Sequence, residues 1–308
     1  MGPLMRRWSR GLVVAVTAAV VALPISGAAD PAAVPAPPPP DLGPITTTPE
    51  ALAERYDANR ANIADAADLA DEHGHRVRAG ALTAMAAPER QFLSFDGRDG
   101  GLAVEVYGDL ATAPTIAIVV PGADTSLDRF RRLAEDAAAL HAELEGAGAV
   151  VAWLGYRPPH TVSLDVLTSA SAQAAVPALT GFVAQLRDAR PDATMSLLCH
   201  SYGSVVCGEA AGKLDVANLV FYASPGVGVD TAADLNSSAT VWAGRGGGDW
   251  LGHIQLLTRP LGFGIDPISP EFGARIFDAG EATHSTYLAP GTESLASLAA
   301  IVSGDVDA

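Results

Sequence analysis

Met195-Ser196-Leu197-Leu198-Cys199-His200-Ser201-Tyr202-Gly203-Ser204-Val205-Val206 changes character in its middle. The first residues form an apolar run of the length and β-propensity of a strand covered on both faces. The residues after Ser201 carry helical spacing that continues to about residue 213. Ser201 falls at the apex of the turn between them, with Cys199 two positions before it and Gly203 two positions after. A turn this tight lifts the serine hydroxyl above the sheet edge, and small flanking side chains let the strand and helix backbones approach each other. A buried serine in an ordinary strand-to-helix turn is the plainer alternative, and Cys199 stands where glycine is usual.

Working outward, apolar runs of strand length recur at residues 115–120, 150–154, 219–222 and 240–243, with a weaker one at 275–277. Helical patterns lie between several of them, at 127–144, 164–187 and 202–213. Strands separated by helices predict a mostly parallel sheet wound by right-handed crossovers, with helices on both faces. Residues 91–95 and 102–107, joined by a Gly- and Asp-rich stretch, read as an antiparallel hairpin at its start. Before them, Thr48-Pro49 opens a helix with apolar residues at Leu52, Tyr56, Ile63, Ala67 and Ala70, and a second short helix covers about 77–85. Their apolar stripe is thin, so residues 48–90 are expected as a helical appendage lying on the main domain, residues 91–308.

A serine hydroxyl attacks carbonyls only with a base in hydrogen-bond reach and a third group orienting that base. After an elbow of this kind the partners follow in the order acid, then histidine, at the ends of later strands. Of the two histidines that follow Ser201, His253 lies in a long irregular insertion, whereas His284 follows the last strand run, which favours His284 as the base. Asp249 comes just past the strand 240–243 after Gly246-Gly247-Gly248, which allow the backbone to bend it inward, and it is the favoured acid over Asp230 and Asp266. His200 is expected to pack, and His160 to sit in a surface loop. Backbone N–H groups of Tyr202 and of the Pro121-Gly122-Ala123-Asp124 loop, Ala123 first and Asp124 next, are the expected oxyanion donors. Asp124 itself adjoins a capping-box pattern, Thr125-Ser126-Leu127-Asp128.

Cys199 and Cys207 are the chain's two cysteines. A helix rising about 1.5 Å per residue back along a strand descending about 3.3 Å per residue can bring Cys207 level with Cys199. A disulfide clamping the elbow is therefore expected, with two buried thiols as the alternative. No spacing of His and Cys fits a zinc site, so neither metal nor cofactor is expected.

Residues 1–29 read as a signal peptide: Arg6, Arg7 and Arg10, an apolar run from Gly11 to Leu23 broken at Thr17, then small residues ending at Ala28 and Ala29. The Arg pair admits either of two export routes. An apolar run of this length is short for a membrane anchor. Residues 30–47, rich in proline, are expected as an extended linker or as a disordered remnant of processing. At 308 residues, 49% hydrophobic and 18% charged, the chain can bury a large core. Its formal charge of −16 opposes binding to nucleic acid or anionic membrane, and the first 29 residues contribute only positive charge.

With Ser201, Asp249 and His284 in this order and Pro121-Gly122-Ala123-Asp124 after an early strand, the chain resembles the α/β-hydrolases. The stretches from Val120 to Asp128 and from Cys199 to Cys207 resemble, more narrowly, an uncharacterised secreted hydrolase family of high-G+C Gram-positive bacteria. The resemblance covers residues 91 onward and implies the fold and the triad, not a substrate. The resulting expectation is a secreted serine hydrolase acting on a small-molecule or lipid ester through an acyl-enzyme. An acyltransferase working on a cell-envelope acceptor and a non-catalytic envelope-binding module are the alternatives. Residues 250–272, with Trp250, Ile254, Leu256, Leu257, Leu261 and Phe263, are either a cap over an apolar pocket or a self-contained insertion.

Overall fold

The structure is a computed structural model and describes residues 34–253 and 261–306. The signal-peptide reading, and Ile254, Leu256 and Leu257 of the expected cap, lie outside those residues. Eight strands make one sheet in the order β1-β2-β4-β3-β5-β6-β7-β8. They are β1 (Gln91–Asp96), β2 (Leu102–Tyr107), β3 (Thr115–Val120), β4 (Gly148–Leu154), β5 (Thr194–His200), β6 (Asn218–Tyr222), β7 (Thr240–Gly244) and β8 (Arg275–Ile276). β1 and β2 form the antiparallel hairpin, β2 meets β4 antiparallel, and every later pairing is parallel.

The strand period of two sorts side chains onto two cores. On β3, Ile116, Ile118 and Val120 face one core together with Leu179 of α4 (Ala170–Ala189) and Val205 of α5 (Tyr202–Ala210). Ala117 and Val119 face the other, with Leu133 and Leu140 of α3 (Phe130–Glu143) and Leu298 of α6 (Glu293–Ser303). This is why the run reads as apolar at every position. The expected helices 127–144 and 164–187 each begin as a short 3₁₀ turn, at Leu127–Arg129 and Leu164–Leu167, before the α-helix starts. The capping-box expectation fails: Ser126 makes no cap bond, and Asp128 instead pairs with Arg78 at 2.5 Å.

α1 (Pro49–Glu72) starts where expected, with the Thr48 hydroxyl accepting from the Ala51 amide at 3.3 Å. Its stripe reaches both cores, Leu52 and Tyr56 in one and Ile63 and Ala67 in the other. Between them Arg55 donates to the Leu93 carbonyl at 3.3 Å and Asn59 to the Phe92 carbonyl at 2.9 Å. An edge strand exposes such carbonyls to stray pairing, and here side chains of α1 take them up. α2 (Arg76–Met85) packs Leu82 and Met85 into the second core.

Residues 34–47 differ from the extended spacer expected of them, because they lie against the body. Arg55 donates to the carbonyls of Leu42, Gly43 and Pro44, Asn62 to that of Pro38, and the Thr47 hydroxyl to that of Ala189. Proline removes amide donors but leaves every carbonyl free, so a Pro-rich strand can be tied down by side-chain donors from outside.

Candidate active site

Ser201 joins β5 to α5 with φ 52° and ψ −125°, in a region that L-residues rarely occupy. Local contacts hold it there. Its amide donates to the Tyr222 carbonyl at 3.0 Å, the Ser204 amide donates to the Ser201 carbonyl at 2.9 Å, and the Ser204 hydroxyl donates to the Cys199 carbonyl at 2.9 Å. A side chain at Gly203 would put its Cβ 2.6 Å from the Val120 carbonyl oxygen, so β3 and α5 approach backbone to backbone at this point. On the other flank Cys199 is fully buried and joined by a disulfide to Cys207, with their Cα atoms 6.4 Å apart. The departure from glycine at this position is thus occupied by a covalent tie between β5 and α5.

The loop after β3 lies directly on the serine. A Cβ at Gly122 would fall 2.7 Å from the Ser201 Cβ and 3.2 Å from its Oγ. The amide of Asp124 is engaged with the Pro159 carbonyl at 3.0 Å, which leaves Ala123 as the better-placed donor of the two expected. Asp124 has φ 61°, and its carboxylate accepts from the Thr161 amide at 3.2 Å, the Thr161 hydroxyl and His160 Nδ1 at 3.3 Å. Burial works against its charge, yet these bonds hold its pKa below the usual carboxylate range. Asp124 therefore fastens the loop 159–161 to the loop beside Ser201, and exposed His160 is part of that fastening.

Asp249 and His284 arrive on two loops that are bound together along their backbones. Gly247 donates to the Gly280 carbonyl at 2.8 Å, and Gly248 bridges Thr283 in parallel. The three glycines serve this contact. None of them takes a positive φ, but a Cβ at Gly246 would sit 2.1 Å from the Ala282 carbonyl oxygen and one at Gly248 would sit 2.9 Å from that of Glu281. The bend expected of them is thus a close approach, with no left-handed backbone.

His284 Nδ1 lies 3.0 Å from Asp249 Oδ1, and its Nε2 lies 3.0 Å from Ser201 Oγ. A carboxylate only accepts, so Nδ1 carries the proton and Nε2 offers its lone pair to the serine hydroxyl. The Asp249 carboxylate is buried and fully used: Oδ1 also accepts from the Leu251 amide at 3.0 Å, and Oδ2 accepts from the Tyr287 hydroxyl at 2.8 Å. Burial pushes its pKa up, but the bonds from His284, Leu251 and Tyr287 outweigh that and hold it below the usual carboxylate value. Tyr287 in turn accepts from the Gly246 amide at 2.9 Å. Of the rival acids, Asp266 is paired with Arg245 and Asp230 is exposed.

His200 does more than pack. Its Nε2 donates to the His284 carbonyl at 2.8 Å, and its ring lies 5.1 Å from the His284 ring. Burial, with the neighbouring His284, lowers its pKa to about 4, so it is a neutral prop behind the candidate base. No pattern in the sequence marks His200, Tyr287 or Asp124 for these parts. Each acts through a contact between residues far apart in the chain.

A cavity of about 570 Å³ opens on Ser201 and His284. Val166, Leu167, Tyr202, Trp250, Leu251 and Phe263 give it an apolar side, so part of the expected cap segment lines it, while Asp136 and Arg132 of α3 lie at another. Among the described residues no cluster of His, Cys, Asp and Glu could hold a metal ion.

Two curated relatives, uncharacterized proteins from two strains of Mycobacterium tuberculosis, are each 26% identical over an alignment taking in 70% of this chain. The match spans only 39% of those relatives' length. Among solved structures, a serine hydrolase from Xanthomonas campestris is similar at 23% identity and a TM-score of 0.45, over 70% of this chain and 93% of its own. Esterase LipW from Mycobacterium marinum is similar at 16% and 0.42, over 85% and 91%. A family described as Alpha/beta hydrolase matches residues 96–258, more than half of the sequence, and the chain belongs to that family.

Proposed function

We propose that the chain is a carboxylic ester hydrolase that works through an acyl-enzyme on Ser201. The unbroken hydrogen-bond line from Ser201 through His284 to Asp249, with both links at 3.0 Å, is the observation that carries this reading. Ser201 Oγ attacks the ester carbonyl while His284 Nε2 takes its proton. The tetrahedral intermediate collapses, the C–O bond to the leaving alcohol breaks, and His284 returns the proton to that alcohol. Water then repeats the sequence on the acyl-enzyme, freeing the acid. Asp249 keeps His284 in the tautomer with Nδ1 protonated and offsets the charge of the imidazolium. The amides of Tyr202 and Ala123 stabilise the oxyanion, such donors contributing about 10²- to 10³-fold each. Gly122, resting on Ser201, supports the assignment of Ala123.

The test is a fluorophosphonate probe together with p-nitrophenyl esters of graded chain length. The wild type is expected to label on Ser201 and to hydrolyse esters, and Ser201→Ala is expected to do neither. A folded protein that resists the probe would instead fit a binding module, and activity undiminished in the variant would remove the mechanism. Acyl transfer to an added alcohol in preference to water would move the chain to the acyltransferases.

The disulfide fits a compartment outside the reducing cytoplasm, as does the basic, apolar and small-residue pattern of residues 1–29. Export is therefore part of the proposal, and a mature N-terminus at Ala29 or Asp30 in culture medium is the expected product of the cleavage.

A further inference from the structure

The mouth of the cavity carries apolar side chains that the described residues leave exposed. Leu167 and Trp250 line the cavity and are nonetheless 43% and 49% exposed, which sets them at its opening. On the segment that bears Leu167, Val162 is 98% exposed and Leu164 80%. A single exposed leucine is ordinary, but an exposed apolar group continuous with an apolar cavity marks a surface that meets something. The segment is also tied down: Asp124 accepts from the Thr161 amide and hydroxyl, and the Asp124 amide donates to Pro159. Val162 and Leu164 are thus presented from an anchored segment.

Val162 and Leu164 lie between Thr161 and Val166, which both line the cavity, and that adjacency says what the occupant must be. A body that rests on Val162 and Leu164 and sends an apolar chain past Leu167 and Trp250 toward Ser201 is an assembly of ester amphiphiles, with one acyl chain withdrawn from it. Charge narrows the class. The chain carries −16 overall and Asp165 lies on the same segment, so anionic headgroups are repelled and zwitterionic or uncharged ones are not. We propose that this rim seats the enzyme on zwitterionic or uncharged lipid aggregates and that its preferred substrates are esters presented there. The chemical half of the statement rests on the hydrolase reading above; the binding half does not.

Flotation with phosphatidylcholine vesicles tests it, using the Ser201→Ala protein so that binding is read without chemistry. The Ser201→Ala protein should float with phosphatidylcholine and far less with phosphatidylglycerol. Adding Val162→Asp and Leu164→Asp should cut the floated fraction at least tenfold. In an otherwise wild-type chain that pair should leave hydrolysis of dissolved p-nitrophenyl butyrate within about twofold. It should also lower the rate on an emulsified long-chain ester at least tenfold. Absence of flotation, flotation unmoved by the two aspartates, or equal loss on dissolved and emulsified esters overturns the proposal. So does a concentration-dependent dimer that the two aspartates dissolve, since the rim would then be covered by a second copy. Vesicle binding by a chain that hydrolyses no ester would sink the enzymatic reading and leave the surface standing; hydrolysis of dissolved esters without vesicle binding would do the reverse.

Discussion

The elbow at Ser201 and the paired loops carrying Asp249 and His284 solve the same problem of placement in opposite ways. At the elbow most of what fixes the hydroxyl is near in sequence: a strand, a turn and a helix, the bonds from Ser204 to Ser201 and Cys199, and a disulfide spanning eight residues, with the Tyr222 carbonyl a distant partner of the Ser201 amide. Asp249 and His284 are 35 residues apart, and their loops meet because glycine backbones let them touch. Geometry that is mostly local places the proposed nucleophile. Packing between distant segments places the proposed base and its orienting acid. The second arrangement has little tolerance, because one added methyl group enters an occupied site.

Gly246→Ala breaks it most directly. The new Cβ would lie 2.1 Å from the Ala282 backbone oxygen, so the two loops must part. Displacing the base or its orienting acid by about 1 Å costs on the order of 10²-fold in rate. The expected result is a fall in kcat of about 10²- to 10³-fold on p-nitrophenyl butyrate with little change in KM, and a variant within threefold of wild type would show that the zipped loops are dispensable.

The elbow should respond in another currency. Replacing Cys199 and Cys207 with alanine together removes a short cross-link whose loop-closure entropy corresponds to about 2–3 kcal/mol of stability. The turn keeps its bonds to Tyr222 and Ser204, so kcat should stay within about tenfold. Urea unfolding of the double variant beside wild type reads the first quantity and ester kinetics the second. If activity collapsed while stability held, the disulfide would be serving the chemistry directly.

The same contrast explains what could be read from the chain before folding. The strand runs, the elbow and the order serine, acid, histidine are local patterns, and they correspond to the sheet and to Ser201, Asp249 and His284 meeting at one rim. Residues 30–47 read as an extended linker or a processing remnant because proline content says what a segment does not donate, and says nothing of Arg55 and Asn62, which donate to the carbonyls of Pro44 and Pro38. The three glycines before Asp249 signalled a special backbone, but whether that meant a turn or a close approach depended on residues 281–283. Tyr287 and His200 gave no signal at all, since a tyrosine or a buried histidine has many structural uses.

Tyr287→Phe sharpens the comparison on a smaller scale. It removes one donor from a carboxylate that is otherwise satisfied, and a hydrogen bond to a buried charge contributes about 1.5–3 kcal/mol. We expect kcat to fall about tenfold. With that donor gone the Asp249 pKa moves up. The stability that its ionised form provides above the unfolded carboxylate value is then lost at a higher pH as the solution is acidified. Thermal melts between pH 5 and pH 3 should show the variant unfolding earlier on the acid side, whereas coincident acid limbs would mean that Tyr287 contributes nothing to holding the charge.

The smallest expected effect comes from two groups that line the cavity and pull in opposite directions. Burial, opposed by Arg132 and aided by Glu135, raises the pKa of Asp136 to about 6, while that of His200 is lowered to about 4. Between about pH 4 and pH 6 the folded chain holds an extra proton on Asp136 relative to the unfolded one, so this group makes stability fall as pH rises. Between about pH 4 and pH 6.5 the unfolded chain holds the extra proton on His200, so this group makes stability rise with pH. The two slopes oppose each other in the wild type. Asp136→Asn removes the first, and stability should then climb between pH 4.5 and pH 7. At pH 7 the variant should exceed wild type by about 1 kcal/mol, the partial exposure of Asp136 having reduced the full effect of its shift. His200→Gln keeps a donor toward the His284 carbonyl and removes the second slope, so its stability should decline over the same range. Urea midpoints at the two pH values decide the matter. Parallel behaviour of all three proteins would mean that neither side chain is as enclosed as its surroundings indicate. Opposite slopes would locate two compensating titratable groups in the wall of the cavity beside Ser201.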